Sequence, residues 1–234
     1  MIKILMTKFH MLKTNINYKK KINIQNMNLE NNGERMDINY YNMDYDKFDI
    51  YQKSHYKRYQ FAKTRINNED FVGDMACGSG YGSLILSEVG RKVCGIDIDE
   101  KTITEIDKRY KLENKVSFLQ KNLLDIDYDS EFNVIVSFET IEHFSESEVD
   151  VLISNFHKAL KKDGTFIFST PYNQEKNPTS MKWHKTFYIN EEKITSLIGK
   201  YFVINEIMYQ DYETHELKTN IPKKDFIVCV AKKI

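Results

Sequence analysis

Three ionisable side chains crowd into five residues at Glu139, Glu142 and His143, within the stretch SFETIEHF. On a helical turn, positions i, i+3 and i+4 share one face, so the three would converge. Two neighbouring carboxylates repel unless a cation, a proton or hydrogen bonds offset the repulsion. Three chemistries fit the pattern. The side chains could make local hydrogen bonds at a helix entry. His143, with Glu142 beside it, could instead take the proton of an acceptor hydroxyl as a general base. Or the cluster could hold a divalent metal through mixed oxygen and nitrogen ligands, a set suited to magnesium, manganese, iron or zinc rather than a soft metal. The metal needs a further ligand. His184 in NPTSMKWHKTFY is the candidate, and His215 is its rival. A cation held this way, with open positions, would chelate a vicinal diol and lower the pKa of one hydroxyl.

A second constellation lies upstream in DMACGSGYGS, where Gly78, Gly80 and Gly82 follow a G-x-G-x-G spacing. Glycines there let the backbone turn sharply and approach a ligand, and the helix that follows adds amide donors. The dinucleotide fingerprint would place a glycine at position 83, where this chain has Ser83, which disfavours a nicotinamide oxidoreductase. Asp97 ends the run KVCGIDID, at a place where a carboxylate can accept both hydroxyls of a ribose. Asp99 reads as the cap of the next helix. Loop and acid together predict a nucleoside-bearing ligand.

These residues need a scaffold that brings them to one edge. Phe71–Ala76, Lys92–Asp97, Val116–Gln120, Phe132–Phe138 and Thr165–Thr170 read as strands, and Ser83–Val89 and Glu100–Tyr110 as helices between them. Ser145 with Glu148 forms a capping box ahead of the apolar stripe Val149, Leu152, Ile153, Phe156 and Leu160, which Gly164 should end. The alternation predicts a doubly wound, Rossmann-like α/β fold with a seven-stranded, mostly parallel sheet. Phe202–Met208 and Phe226–Ala231 supply an antiparallel pair at one edge. Apolar and aromatic residues from Asp44 to Ile66 recur at helical spacing and should form a helical cap over positions 36–68, with the sheet core in 69–234.

The segments GDMACGSGYG, GIDID, FNVIVSFETIEHF and LKKDGTFIFSTPYN, in this order and spacing, resemble the class I S-adenosylmethionine-dependent methyltransferases. The resemblance runs from about Glu34 to the C-terminus. It implies S-adenosylmethionine as cofactor, with the Gly78–Gly82 loop under its methionine part and Asp97 on its ribose. Asp74 would hold the loop or the amino group, and Asn122, standing where the family usually has an acid, would meet the adenine. Ala76, Ile98, Leu123 and Phe138 complete the implied cofactor contacts. Arg58 in HYKRYQFA matches an arginine that meets the cofactor's carboxylate, and it also reads as an exposed helix cation. The ExxEH pattern with a downstream histidine is similar to that of small-RNA 3′-terminal ribose methyltransferases and ubiquinone-pathway O-methyltransferases, where a metal holds neighbouring acceptor oxygens. GERM at Gly33–Met36, HYKRY and FSTPYN look most like methyltransferases of sugar and glycan synthesis. The resemblance therefore implies O-methylation of a diol-bearing acceptor, a sugar or glycan precursor first. An RNA 3′-terminal ribose or a catechol-type small molecule would offer the same paired oxygens. From another class stands a non-catalytic adenosylmethionine-binding module.

Composition sets the outer bounds. A chain of 234 residues, 41% hydrophobic and 29% charged, is one substantial domain, and no apolar run approaches a membrane span. Residues 1–35 carry seven Lys/Arg against two Glu, which leaves the remainder net acidic by five and gives no basic face for nucleic acid. That N-terminal stretch, rich in Lys, Asn and Ile, reads as a poorly ordered extension, and its interrupted apolar pairs do not make a signal peptide. Cys77, Cys94 and Cys229 lie in or beside predicted strands without metal-ligand spacing, as free thiols of a reducing, cytoplasmic setting do.

Overall fold

The computed structural model describes residues 36–234; the expected N-terminal extension, and most of the GERM stretch, lie outside the described residues. The first regular helix, α1 (Ile50–Lys63), starts at Asp49, whose carboxylate accepts from Gln52 N at 2.8 Å while the Gln52 side chain accepts from Asp49 N at 3.1 Å. This reciprocal cap satisfies two amides that a helix start leaves bare. The predicted helical stretch is shorter than its pattern, because Tyr40–Asn42 and Tyr45–Lys47 are separate 3-10 turns.

Beyond α1 the strands and helices alternate: β1 (Phe71–Met75), α2 (Tyr81–Ser87), β2 (Lys92–Asp97), α3 (Glu100–Tyr110), β3 (Val116–Gln120), β4 (Phe132–Phe138), α4 (Glu146–Ala159), β5 (Leu160–Pro171), α5 (Glu191–Ile198), β6 (Phe202–Gln210), β7 (Leu217–Lys218) and β8 (Phe226–Lys233). They form one sheet in the order β3-β2-β1-β4-β5-β8-β6-β7. The strands β3 to β5 run parallel, and β8 lies antiparallel between β5 and β6. The fold class is the one predicted, with eight strands rather than seven. The extra strand is two residues long and pairs Tyr209 with Lys218 and Gln210 with Leu217, too short for any alternation to mark it. The expected antiparallel pair, β6 with β8, lies at one side of the sheet, with only the two-residue β7 beyond it.

Each face of the sheet is covered. Tyr59 and Ala62 of α1 and Ile85 and Leu86 of α2 pack with Val134 and Val136 of β4 on one face. Leu152, Ile153 and Phe156 of α4 and Ile194 and Ile198 of α5 pack with Ile135 of β4 on the other. Burial on both sides explains why β4 reads as an almost continuous apolar run. Glu148 reaches back to the Ser145 amide and hydroxyl, both at 2.8 Å, and opens α4 as predicted. Gly164 does not end that helix. The helix stops at Ala159, and Gly164 lies inside β5, which starts five residues earlier than its apolar pattern. Among the described residues no helix is long and apolar enough to cross a membrane. All three cysteines are buried and free.

Candidate active site

The strand order reverses between β1 and β4, and open α/β sheets bind ligands outside the C-terminal ends of the strands at such a point. A cleft of about 1260 Å³ opens there, walled by α1 on one side and by the segment after β5 on the other. The first residue beyond β1 and the first beyond β4 are both left-handed without being glycine: Ala76 has φ 63° and Glu139 φ 53°. That conformation costs an L-residue on the order of 1 kcal/mol or more, and it persists where surrounding structure enforces it. Both residues line the cleft.

The half of the cleft under β1 and β2 carries the predicted donor-binding residues. Asp97 ends β2 and takes the Gly78 amide at 2.9 Å on Oδ2 and the Asp99 amide at 3.0 Å on Oδ1. A carboxylate accepts about four hydrogen bonds, so each oxygen keeps a lone pair for a ligand. Ile98, 64% exposed, and Leu123, 6% exposed, stand beside it as apolar walls. Phe138 closes the floor. Asn122 also lines the cleft, but its amide is committed to the turn after β3, donating to Asp125 Oδ2 at 3.0 Å and accepting from Leu124 N at 3.1 Å. One carbonyl lone pair remains for an amine.

Three predicted donor-site residues lie off the cleft, and of the two roles expected for Asp74 the structure fits the holding of the loop. Asp74 is fully buried off the cleft and accepts from Ser83 Oγ at 2.6 Å and Tyr59 OH at 3.1 Å, tying α2 and α1 to β1. Burial raises its pKa to about 6, against the two hydroxyl donors, which lower it. Gly80 has φ 75° and caps α2; a side chain there would meet the Phe118 ring at 2.9 Å. A Cβ at Gly82 would lie 2.0 Å from the Tyr59 ring, so this glycine exists to let α1 sit on α2. Of the three glycines, only Gly78 faces the cleft.

Arg58 is not an exposed helix cation: it is 2% exposed and lines the cleft. Its Nη1 donates to Gln210 Oε1 at 3.0 Å, its Nη2 lies 3.9 Å from Glu139 Oε1, and its guanidinium sits 4.2 Å over the Phe226 ring. Gln210 is fixed in turn by the carbonyls of Ser54 and His215. The Arg58 Nε is buried without a hydrogen-bond partner among the described residues. A buried guanidinium that lines the cleft, its Nη2 facing Glu139 only at 3.9 Å, fits an anionic group brought by a ligand.

Across the cleft, the Glu-Glu-His cluster is built differently from its prediction. Only Ile141–His143 form a helical turn, of the 3-10 kind, and Glu139 precedes it in the left-handed region. The three residues therefore do not share one helical face. Glu139 instead accepts from Ser169 Oγ at 2.7 Å and leans toward Arg58. Glu142, 1% exposed, accepts from Thr170 Oγ1 at 3.0 Å on Oε2, while its Oε1 is buried with no hydrogen-bond partner among the described residues. Burial, and then the charge of Glu139, push the Glu142 carboxyl well above the usual carboxylate range. Burial also raises Glu139.

His184 completes the set. The segment after β5 folds back because the Glu142 carbonyl accepts from the amides of Lys185 at 2.7 Å and Thr186 at 3.1 Å. This brings the His184 ring within 5.0 Å of the His143 ring, nearly perpendicular to it. One ligand atom each from Glu142, His143 and His184 then lies within 4.8 Å of the others. Glu139 is not in this set. The rival His215 is elsewhere, its Nδ1 at 3.2 Å from Ser54 Oγ. His184 Nδ1 lies 2.5 Å from Gln174 Oε1 and His143 Nδ1 lies 3.2 Å from the Trp183 carbonyl. The Gln174 side-chain oxygen only accepts, so on the neutral His184 ring Nδ1 carries the proton and Nε2 the lone pair. Burial lowers both pKa values, that of His184 to about 4 with help from His143, so both rings are neutral near pH 7.

Sequence reasoning missed much of the wall: Tyr51, His55, Tyr81, Phe144, Tyr172 and Tyr212 all line the cleft. Several stood inside quoted motifs, His55 in HYKRY and Tyr172 in FSTPYN, and their spacing from Arg58 and Glu139 was the available signal.

Residues 72–164 match the family described as a methyltransferase domain. A Mycolicibacterium smegmatis protein described as a probable S-adenosylmethionine-dependent methyltransferase is 29% identical over 144 residues, covering 60% of this chain and 54% of that protein. The ubiquinone biosynthesis O-methyltransferase of Rickettsia akari is 32% identical over 99 residues, 42% of this chain and 38% of that one. The chain thus spans about half the length, or less, of these curated relatives. The N-methyltransferase NodS of Bradyrhizobium japonicum, solved with S-adenosyl-L-homocysteine, superposes with a TM-score of 0.62 at 16% identity, over 80% of this chain and 89% of that one. At that identity the likeness concerns the fold.

Proposed function

We propose that this chain, which belongs to the class I S-adenosylmethionine-dependent methyltransferases, methylates a hydroxyl of a diol-bearing acceptor, a sugar or glycan precursor first among them. The observation that carries the reading is the orphaned Glu142 Oε1, set beside His143 and His184 in the same cleft as Asp97 and Gly78. A module that merely binds the donor has no use for that cluster.

The residues present fit the donor. S-adenosylmethionine, when bound, supplies an electrophilic methyl on a sulfonium. Asp97 offers two oxygens to ribose hydroxyls, Ile98 and Leu123 offer apolar surface to the base, and Arg58 offers positive charge to the carboxylate. They fit a divalent cation as well: one carboxylate oxygen and two imidazole nitrogens, with Gln174 holding the His184 tautomer from behind. Two imidazoles favour manganese, iron or zinc over magnesium. A cation there would supply the positive charge that acidifies one hydroxyl of a chelated diol. His143, neutral near pH 7, is also competent to take the hydroxyl proton itself.

Glu139 stands outside the ligand set and balances the Arg58 charge at the cleft floor. The aromatic walls Tyr51, Phe144, Tyr172 and Tyr212 can stack on an acceptor ring and keep water out. Because methyl transfer is a single displacement, holding the acceptor oxygen in line supplies most of the acceleration. The same aromatic lining, together with the ubiquinone-pathway relative, favours a catechol-type acceptor as the second reading.

The test uses paired acceptors that differ by one hydroxyl: ribonucleoside against 2′-deoxynucleoside, catechol against phenol, a free sugar against its deoxy analogue. With manganese present, mass spectrometry should find one added methyl on diol members only, and a strong chelator should abolish it. Equal transfer to both members of every pair would remove the diol from the account, and transfer that survives chelation would remove the metal. Donor binding with no transfer to any pair would favour the module.

A further inference from the structure

The side chain of His55 is unused by the chemistry so far, although it lines the cleft one helical turn before Arg58. Its ring is packed against Tyr59, Tyr81 and Phe138, with centroids at 5.6, 6.0 and 6.4 Å. Its Nδ1 is hydrogen-bonded to the Tyr81 hydroxyl. Tyr81 is 2% exposed, and burial holds its phenol well above the usual range, so the hydroxyl keeps its proton. His55 Nδ1 is the only hydrogen-bond partner that this hydroxyl has among the described residues. If Nδ1 were the donor, a buried O–H would be left without an acceptor, which costs more than the bond returns. Tyr81 therefore donates, Nδ1 accepts, and the single proton of the neutral ring sits on Nε2. Burial and the Arg58 charge keep the ring neutral. Nε2 makes no hydrogen bond to the described residues and is not among the atoms sealed from solvent, so it opens on the cleft.

We infer that His55, locked by Tyr81 as the Nε2–H tautomer, donates a hydrogen bond to the α-carboxylate of the methyl donor beside Arg58. The inference rests on the reading of the cleft as an S-adenosylmethionine site. The geometry points to a carboxylate because helix positions 55 and 58 present a neutral N–H and a cation on one face. It points to the donor's carboxylate because Tyr81, which sets the tautomer, is the first residue of α2, directly after the Gly78–Gly80 turn. Glu139, across from Arg58, supplies the opposite charge that the adjoining ammonium requires. The carboxylate is thus read by one charged and one neutral donor, and His55 is a binding residue rather than a base: its lone pair faces Tyr81.

Calorimetric titration of the full chain with S-adenosylhomocysteine and with 5′-methylthioadenosine, which lacks the amino-acid end, separates the possibilities. His55→Phe should weaken S-adenosylhomocysteine about tenfold or more and leave 5′-methylthioadenosine unchanged. His55→Gln, whose amide can accept from Tyr81 and still donate into the cleft, should stay within about threefold of wild type. Equal weakening of both ligands by His55→Phe, or of neither, overturns the inference. Nitrogen-15 spectra of the wild-type imidazoles give a check that needs no variant to fold. They should show a proton on Nε2 and a lone pair on Nδ1 for His55, and the reverse tautomer overturns the inference equally. A wild-type chain that binds neither ligand would instead sink the underlying reading of the cleft.

Discussion

Glu142→Gln is expected to cut methyl transfer by at least a hundredfold while S-adenosylhomocysteine binds as before. Glutamine keeps the volume and can still accept from Thr170, but it removes the charge that either a metal or a developing imidazolium at His143 requires. General acid–base help alone is worth roughly 10²–10⁴-fold, and loss of a metal ligand costs no less. The fold should not suffer, because a buried carboxylate beside a second one is replaced by a neutral group. Manganese titration followed by electron paramagnetic resonance separates the two routes. A metal site predicts tight manganese in wild type, weakened in Glu142→Gln and His184→Ala alike. A base without a metal predicts no tight manganese, and a far larger loss in His143→Ala than in His184→Ala. Activity within threefold of wild type in Glu142→Gln would take the cluster out of catalysis.

Asp97→Ala is expected to weaken S-adenosylhomocysteine between tenfold and a thousandfold. A hydrogen bond to a charged acceptor contributes about 1.5–3 kcal/mol, and two ribose hydroxyls would share this carboxylate. The variant also releases the Gly78 and Asp99 amides, which now hold the loop and the start of α3 on Asp97. Asp97→Asn separates these contributions, since one amide oxygen can still take Gly78 N–H while the paired acceptor for the ribose is lost. Calorimetry should place Asn between wild type and Ala. Unchanged affinity in Asp97→Ala would remove this residue from the donor site.

What was legible in the sequence had strong local causes. The bounds of β2, α3, β3 and β4 match their predicted runs because each is a clean apolar pattern closed by turn residues or a cap. Helix α5 was missed: it is eight residues long, and its Asn190 cap and buried Ile194 and Ile198 sit after a long polar, aromatic segment without period. Residue types at the site were readable, whereas their directions were not. Gly78 and Gly82 look alike in a G-x-G-x-G run, yet one turns to the ligand side and the other to Tyr59, and only the packing of α1 decides which.

The acid cluster teaches the same lesson over longer range. Its carboxylates are aimed by Ser169 and Thr170, 30 and 28 residues further along the chain, and not by the helical spacing between them. His184 reaches His143 only because the Glu142 carbonyl receives the Lys185 and Thr186 amides. Asp74, Gly80 and Gly82 carry the family pattern and serve the scaffold beneath the site. Residues that a motif places near a ligand divide into those that touch it and those that hold the ones that do.

Hydrogen exchange with and without S-adenosylhomocysteine tests most directly the claim that this cleft is where the methyl donor sits. Slower exchange is expected in the Ala76–Gly80 turn, in Asp97–Asp99 and Asn122–Leu124, and along α1 around His55 and Arg58, with the antiparallel edge of β6 and β7 unchanged. Binding that leaves those four segments unprotected, or that protects the sheet's opposite end, would contradict the account.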